Sequence, residues 1–130
     1  MKELEFYLCT HCKNLVEMVH FGGAPLMCCG EKMKKLTANT TDAATEKHVP
    51  VAVVEGNTVT VTVGSVEHPM TEEHYIQCIV LQTEKGVQRC DLLPGNKPSA
   101  VFAVAPGDKA VAAYAYCYLH GLWKADLCAA

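Results

Sequence analysis

Thr58 to Val63 reads Thr-Val-Thr-Val-Thr-Val, a strict period of two that places every valine on one face of an extended chain. Val49 to Val54 before it is apolar and β-branched, and Glu55-Gly56-Asn57 between the two is a turn signal, so a hairpin with one buried face is expected. Further strands are predicted over Tyr75 to Thr83, Val87 to Leu93, Ser99 to Ala105 and Ala110 to Tyr118, with a last short one from Leu122 to Leu127. Glu84-Lys85-Gly86, Pro94-Gly95-Asn96 and Pro106-Gly107-Asp108 separate them as turns. No helical period stands out. Roughly seven strands punctuated in this way predict an antiparallel β-sandwich of immunoglobulin-like type.

Residues 1–36 follow a different pattern. Cys9-Thr-His-Cys12 is followed by a stretch with Gly22-Gly23 and Pro25, then by Cys28-Cys29-Gly30 and a basic run from Lys32 to Lys35. Such a segment is too short to bury a sufficient apolar core, so a bound ion is expected to supply much of its stability. Thr37 to Thr45, small and polar, reads as a linker. The expected organisation is a metal-knuckle domain at 1–36 and a mainly β domain at 37–130.

Composition narrows the function classes. Half of the 130 residues are apolar and 19% are charged, which is globular composition. The net charge of −3 provides no broad basic field, which argues against a nucleic-acid partner. It is also uneven: five lysines face four acids up to Leu36, and six basic residues face ten acids beyond it. A small anion must therefore be attracted by local positive charge, against the field of the larger segment. No apolar run reaches the roughly 18 residues of a membrane helix, and MKELEFYLCT lacks the order of a secretory signal, so a cytoplasmic protein is expected. Eight cysteines in that setting point to metal ligation rather than to disulfides.

Four thiolates suit Zn2+ or a single iron. Cys9 and Cys12 form the usual Cys-x2-Cys pair, but Cys28 and Cys29 are adjacent, with Cα atoms about 3.8 Å apart, which predicts a distorted tetrahedron. Spacing alone leaves a structural Zn2+ and a redox iron equally open. His11 is expected to be exposed, because four thiolates already fill the site.

A second group lies in the larger segment. His48 sits in Glu46-Lys47-His48-Val49-Pro50, His68 and His74 bracket His-Pro-Met-Thr-Glu-Glu-His, and Cys117-x2-His120 precedes Gly121-Leu122-Trp123. All five fall at strand ends or in adjoining loops, which a sandwich gathers at its poles, so a shared site is expected. Four neutral imidazoles and one thiolate would leave one octahedral position open to substrate.

At these residues the chain resembles desulfoferrodoxin along essentially its whole length. Its first 36 residues are similar to desulforedoxin, with an adjacent cysteine pair like Cys28-Cys29. Glu-Lys-His-Val-Pro, His-Pro-Met-x3-His and Cys-x2-His-Gly-x-Trp occur in the order of the superoxide reductase domain. The resemblance implies one-electron reduction of superoxide to hydrogen peroxide, with mononuclear iron at both centres. It implies Cys9, Cys12, Cys28 and Cys29 around the first iron. It implies His48, His68, His74 and His120 equatorial and Cys117 axial around the second, with superoxide approaching opposite the sulfur. It further implies that Lys47 draws in superoxide, that Glu46 occupies the sixth position once product leaves, that a rubredoxin-like donor supplies electrons and that the protein is a homodimer. The residue after the cysteine is commonly Asn in this family and is Tyr118 here.

Two other classes compete. A blue-copper carrier also unites a β-sandwich with a C-terminal Cys followed by His, but it takes two histidines and a weak Met downstream, and no Met follows His120. A binding module with two structural Zn2+ ions is the other. Cys78, Trp123 and Tyr114 read as core, Cys90 and Cys128 as spare thiols, and His20 together with Glu67, Glu72 and Glu73 as exposed.

Overall fold

The computed structural model describes residues 2–127 and divides into two compact units, Met1–Thr37 and Ala38–Ala130. In the first, β1 (Glu5–Leu8) pairs antiparallel with β2 (Leu15–Met18), followed by the two-residue strands β3 (Met27–Cys28), β4 (Glu31–Lys32) and β5 (Lys34–Lys35). β5 pairs with the other edge of β1, while β3 and β4 form a hairpin of their own. Among the described residues its buried apolar side chains are Leu4, Phe6 and Cys9, a core far too small to hold a domain unaided. The sequence reading anticipates the knuckle and not these strands, because they are too short to show a period.

The second unit begins with one helical turn, α1 (Thr45–His48). Seven strands follow: β6 (Pro50–Glu55), β7 (Thr58–Val63), β8 (Ile76–Thr83), β9 (Val87–Asp91), β10 (Ser99–Ala103), β11 (Ala110–Cys117) and β12 (Gly121–Asp126). They form a three-stranded sheet, β10-β7-β6, and a four-stranded sheet, β12-β11-β8-β9, all antiparallel. This is the immunoglobulin-like sandwich expected from the turn spacing.

The period of two takes effect in β7. Val59, Val61 and Val63 are buried and join Ile79, Leu81, Ala113, Ala115 and Phe102 in the core between the sheets. Cys78, Tyr114 and Trp123 are buried, Cys90 packs against the core from its edge, and Cys128 lies outside the described residues. The polar stretch before α1 is not slack throughout. Asn39 donates Nδ2–H to the Lys124 carbonyl and accepts the Lys124 N–H at its own Oδ1, and its backbone N–H reaches the Leu122 carbonyl, so the segment is fastened along β12. No helix among the described residues is long and apolar enough to cross a membrane.

Candidate metal centres

The first cluster rests on two turns. Cys9 leaves β1, its carbonyl accepts the Lys13 N–H at 2.9 Å, and the Cys12 N–H points at Cys9 Sγ at 3.5 Å. Lys13 takes up φ 67° to close that knuckle. At the adjacent pair the strain falls on the backbone: Cys29 stands at φ 51°, which turns its side chain towards the spot that Cys28 faces. Cys12 and Cys28 sulfurs are then 3.6 Å apart and those of Cys28 and Cys29 4.0 Å. A tetrahedral ion with metal–sulfur bonds of about 2.3 Å would separate its ligands by about 3.8 Å. All four sulfurs lie within 4.8 Å of one another, close enough for one ion to reach them all.

The thiols behave as a crowded set. Backbone N–H donation, from Cys12 first, lowers the Cys9 thiol to about 6. The Cys12 sulfur, followed by its neighbours, pushes Cys29 up to about 12 and raises Cys28 as well. Ionising all four needs a cation among them. His11 is exposed and pairs through Nε2 with Glu31 at 3.1 Å, and His20 is exposed.

The second cluster is assembled from four places in the chain. His48 ends α1, which the sequence reading takes for the end of a linker; the turn lacks a side-chain N-cap and is too short to show a helical period. His48 is 2% exposed and His68 1%, while Glu46 and Lys47 on the same turn are exposed. His74 closes the loop before β8, where its N–H and carbonyl pair with the backbone of Thr71. Cys117 ends β11 and pairs with Gly121, so Tyr118, Leu119 and His120 make a three-residue hairpin loop closed by a glycine at φ 80°.

The rings form a pinwheel. Centroids follow one another at 4.6 Å from His48 to His68, 4.6 Å to His74, 4.8 Å to His120 and 5.0 Å back to His48, each neighbouring pair nearly perpendicular. His48 and His74 face each other across the centre at 6.0 Å. His48 Nε2 lies 3.0 Å from His68 Nε2 and 3.2 Å from His120 Nδ1. An ion with metal–nitrogen bonds of about 2.1 Å at right angles would set neighbouring donors about 3.0 Å apart. Cys117 Sγ sits 3.4 Å from His68 Nε2, within reach of the same point as a fifth ligand. Donor atoms of His48, His74, Cys117 and His120 lie within 4.8 Å of one another, and His68 joins them through its contacts to His48 and Cys117.

The hydrogen bonds show what this arrangement suits. His48 Nδ1–H donates to the Ala44 carbonyl at 2.7 Å and His68 Nδ1–H to the Pro69 carbonyl at 2.6 Å. A carbonyl only accepts, so each Nε2 carries a lone pair, and two lone pairs at 3.0 Å repel unless a cation lies between them. His74 Nε2 is buried without any partner. An orphaned buried nitrogen aimed at two lone pairs is the signature of a metal site, and a donor set of four imidazole nitrogens and one sulfur suits iron.

Burial favours the neutral imidazole at His48, His68 and His74, the form a ligand needs. It lowers His48 and His74 and takes His68 to about 4, while burial raises the Cys117 thiol against N–H donation from His120 and Leu119. One expected outcome concerns the metal-free protein. The unfolded chain binds protons at these imidazoles below pH 6.5 and the fold does not until about pH 4 at His68, so stability is present at neutral pH and lost as pH falls through that window. His68 alone would account for roughly 3 kcal/mol. Urea denaturation of chelated protein at pH 7.5 and pH 4.5 measures this, and equal midpoints would contradict it.

Trp123 takes part in the site, although its sequence reading is simply core. Its indole stacks on His48 at 4.9 Å and its Nε1–H donates to the His120 carbonyl at 3.1 Å, so one side chain fixes two rings. The Gly-x-Trp after His120 was the signal for this role. Glu67, Glu72 and Glu73 are exposed, as expected.

The desulfoferrodoxin family profile matches residues 40–126, and the profile of the desulfoferrodoxin N-terminal domain matches residues 1–36. The chain belongs to the desulfoferrodoxin family. Within it, the desulfoferrodoxin homolog of Archaeoglobus fulgidus is 50% identical over 121 residues, 93% of this chain and 95% of its own. Desulfoferrodoxin of Nitratidesulfovibrio vulgaris is 48% identical over 124 residues, 95% of this chain and 97% of its own. Among solved structures, the superoxide reductase from Treponema pallidum superposes with a TM-score of 0.82 at 41% identity, covering 96% of this chain and all of that one. A superoxide reductase from Giardia intestinalis with one iron covers 62% of this chain and 95% of its own at 40% identity and a TM-score of 0.54.

Proposed function

We propose that this chain is a superoxide reductase whose catalytic iron would be held by His48, His68, His74 and His120 together with the Cys117 sulfur. The observation that carries the reading is the pinwheel of four imidazoles beside a buried sulfur, with the His74 nitrogen left without a partner. When bound there, iron supplies the single electron that superoxide needs by cycling between Fe(II) and Fe(III). Cys9, Cys12, Cys28 and Cys29 hold a second iron in residues 1–36, and residues 37–130 form the catalytic domain.

The residues around the site divide the remaining work. The Cys117 thiolate, kept dry by burial and steadied by the His120 N–H at 3.4 Å, enriches the centre in electron density. Lys47 lines an open cleft together with His68 and offers a positive charge to an incoming anion and to the peroxide that forms. Two protons complete the reaction and come from water in that cleft. Glu46, exposed beside Lys47, would offer its carboxylate to the oxidised iron once product has left. Electrons arrive from a rubredoxin-like donor, with the four-sulfur centre as an electron-transfer site. The protein acts in the cytoplasm as a homodimer, which would give the first unit, with Leu4, Phe6 and Cys9 as its buried apolar residues among those described, additional cover. A blue-copper site is disfavoured because it takes two imidazoles where four meet here.

Stopped-flow mixing of reduced protein with superoxide is expected to yield one hydrogen peroxide per superoxide and no dioxygen. Lys47→Ala should slow the bimolecular step by about tenfold at low salt. Dioxygen release, or a second metal that never changes valence, would overturn the reading.

A further inference from the structure

We propose that Lys97 is a second steering cation for superoxide, held at the mouth of the histidine site by a braced turn and acting with Lys47. The proposal rests on the superoxide reductase reading. An open cleft of about 540 Å³ is lined by Lys47, His68, Glu67, Met70, Asn96 and Lys97, so both lysines border the opening that reaches His68. A neighbouring cleft of about 390 Å³, lined by the hydroxyl residues Thr62, Ser65 and Ser99, shares Glu67 and Lys97. Lys97 therefore stands where two openings meet.

The root of this side chain is fixed with respect to the site. The Gly95 N–H donates to the Met70 carbonyl at 2.9 Å, which ties the turn to the loop carrying His68 and His74. The Leu93 N–H donates to Asn96 Oδ1 at 2.8 Å and closes the turn on itself. On the far side the Val63 N–H donates to the Pro98 carbonyl at 2.8 Å and the Ser99 N–H to the Lys97 carbonyl at 2.8 Å, which anchors residue 97 to the end of β7. Among the described residues no carboxylate forms an ion pair with Lys47 or Lys97.

Charge gives the arrangement its consequence. From residue 37 onward ten acids face six basic residues, so the domain as a whole repels superoxide, and Glu67 adds a negative charge inside the cleft itself. Lys47 and Lys97 offset that charge where the anion must pass, while a lone Lys47 would be matched one for one by Glu67. In sequence, Pro94-Gly95-Asn96-Lys97-Pro98 reads only as a turn with a solvated lysine.

The test is the second-order rate constant for superoxide with fully reduced, iron-loaded protein, measured against ionic strength. Lys97→Ala should lower it about two- to threefold at low salt and Lys97→Glu about five- to eightfold, whereas Glu67→Gln should raise it about twofold. Lys97→Arg should keep the parent rate. The losses should fade by about 0.3 M salt, where the screening length is shorter than the cleft. Lys85→Glu changes net charge as Lys97→Glu does, but it lies beyond the far end of the eight-residue β8, on the order of 25 Å from His74, and should leave the rate unchanged. Azide titration of the oxidised protein supplies a readout without turnover: Lys97→Glu should weaken binding by a similar factor, with the iron spectrum unaltered. A Lys97→Glu protein that matches Lys85→Glu in rate and azide affinity, or whose loss is equal at high salt, would overturn the role of Lys97 and leave the reductase reading standing. A parent protein that does not consume superoxide would take both down.

Discussion

Replacing Cys117 by serine is expected to reduce the superoxide rate on the order of a hundredfold or more and to abolish the thiolate-to-iron absorption of the second centre, while the sandwich stays folded. Cys117 is fully buried, and its sulfur lies 3.4 Å from His68 Nε2. Serine fills nearly the same space, so the core between Ala115 and Leu122 has little reason to move. Its hydroxyl does not ionise near neutral pH, however, and sits closer to the backbone than sulfur does. The four imidazoles would then hold a metal without an anionic ligand. Even partners one shell further out typically change affinity or activity about 10- to 100-fold, and a direct ligand should exceed that. Visible absorption and stopped-flow kinetics on the same sample measure both effects. A variant with the parent spectrum and rate would show that the sulfur is not a ligand.

The second large effect is expected at Gly64, which touches no ligand. It stands at φ 83°, and a Cβ there would lie 2.4 Å from the Val66 carbonyl oxygen and 2.7 Å from the carbonyl carbon and oxygen of Lys47. All three are backbone atoms, so no side chain can swing aside. The same turn receives α1 through the Gly64 N–H on the Val49 carbonyl and the Val66 N–H on the Glu46 carbonyl. Gly64→Ala should therefore displace the helical turn that carries Lys47 and His48. A left-handed non-glycine residue costs about 1–2 kcal/mol, and with the backbone collision the total should approach about 3 kcal/mol or more. Gly56 provides the contrast. It also has a positive φ, 59°, but its Cβ would meet open space, so Gly56→Ala should cost only about 1 kcal/mol. Urea midpoints and iron content of each centre distinguish the two. If Gly64→Ala matches Gly56→Ala and retains full iron at the second centre, the locking contact has no weight.

The legible parts of the fold were those that a period of two can write. Thr58–Val63 coincides with β7 residue for residue, and β8, β11 and β12 begin or end within a residue of their predicted limits because glycine- and proline-bearing turns delimit them. α1 escaped notice because a single turn has no period, and the strands of the first unit because two to four residues cannot show alternation. The histidines could be picked out because imidazoles and a cysteine at strand ends are unusual in company, and the structure brings His48, His68, His74, His120 and Cys117 together. What sequence could not convey is how they are held. The φ of Cys29, the closeness of Gly64 to Lys47 and the bracing of Lys97 are properties of backbone packing between segments, and they leave no local pattern.

The distances between ligating positions along the chain have a kinetic consequence. His48 and His120 meet although 72 residues separate them, and His68 and Cys117 although 49 do. Contacts of such long range form late and slowly, since chain closure precedes any reward. During synthesis the four-sulfur knot is complete once Cys29 has emerged, while the pinwheel cannot exist in any fragment that stops short of His120. The first site can therefore accept its iron while the chain is still being made, whereas the second can do so only in a finished sandwich.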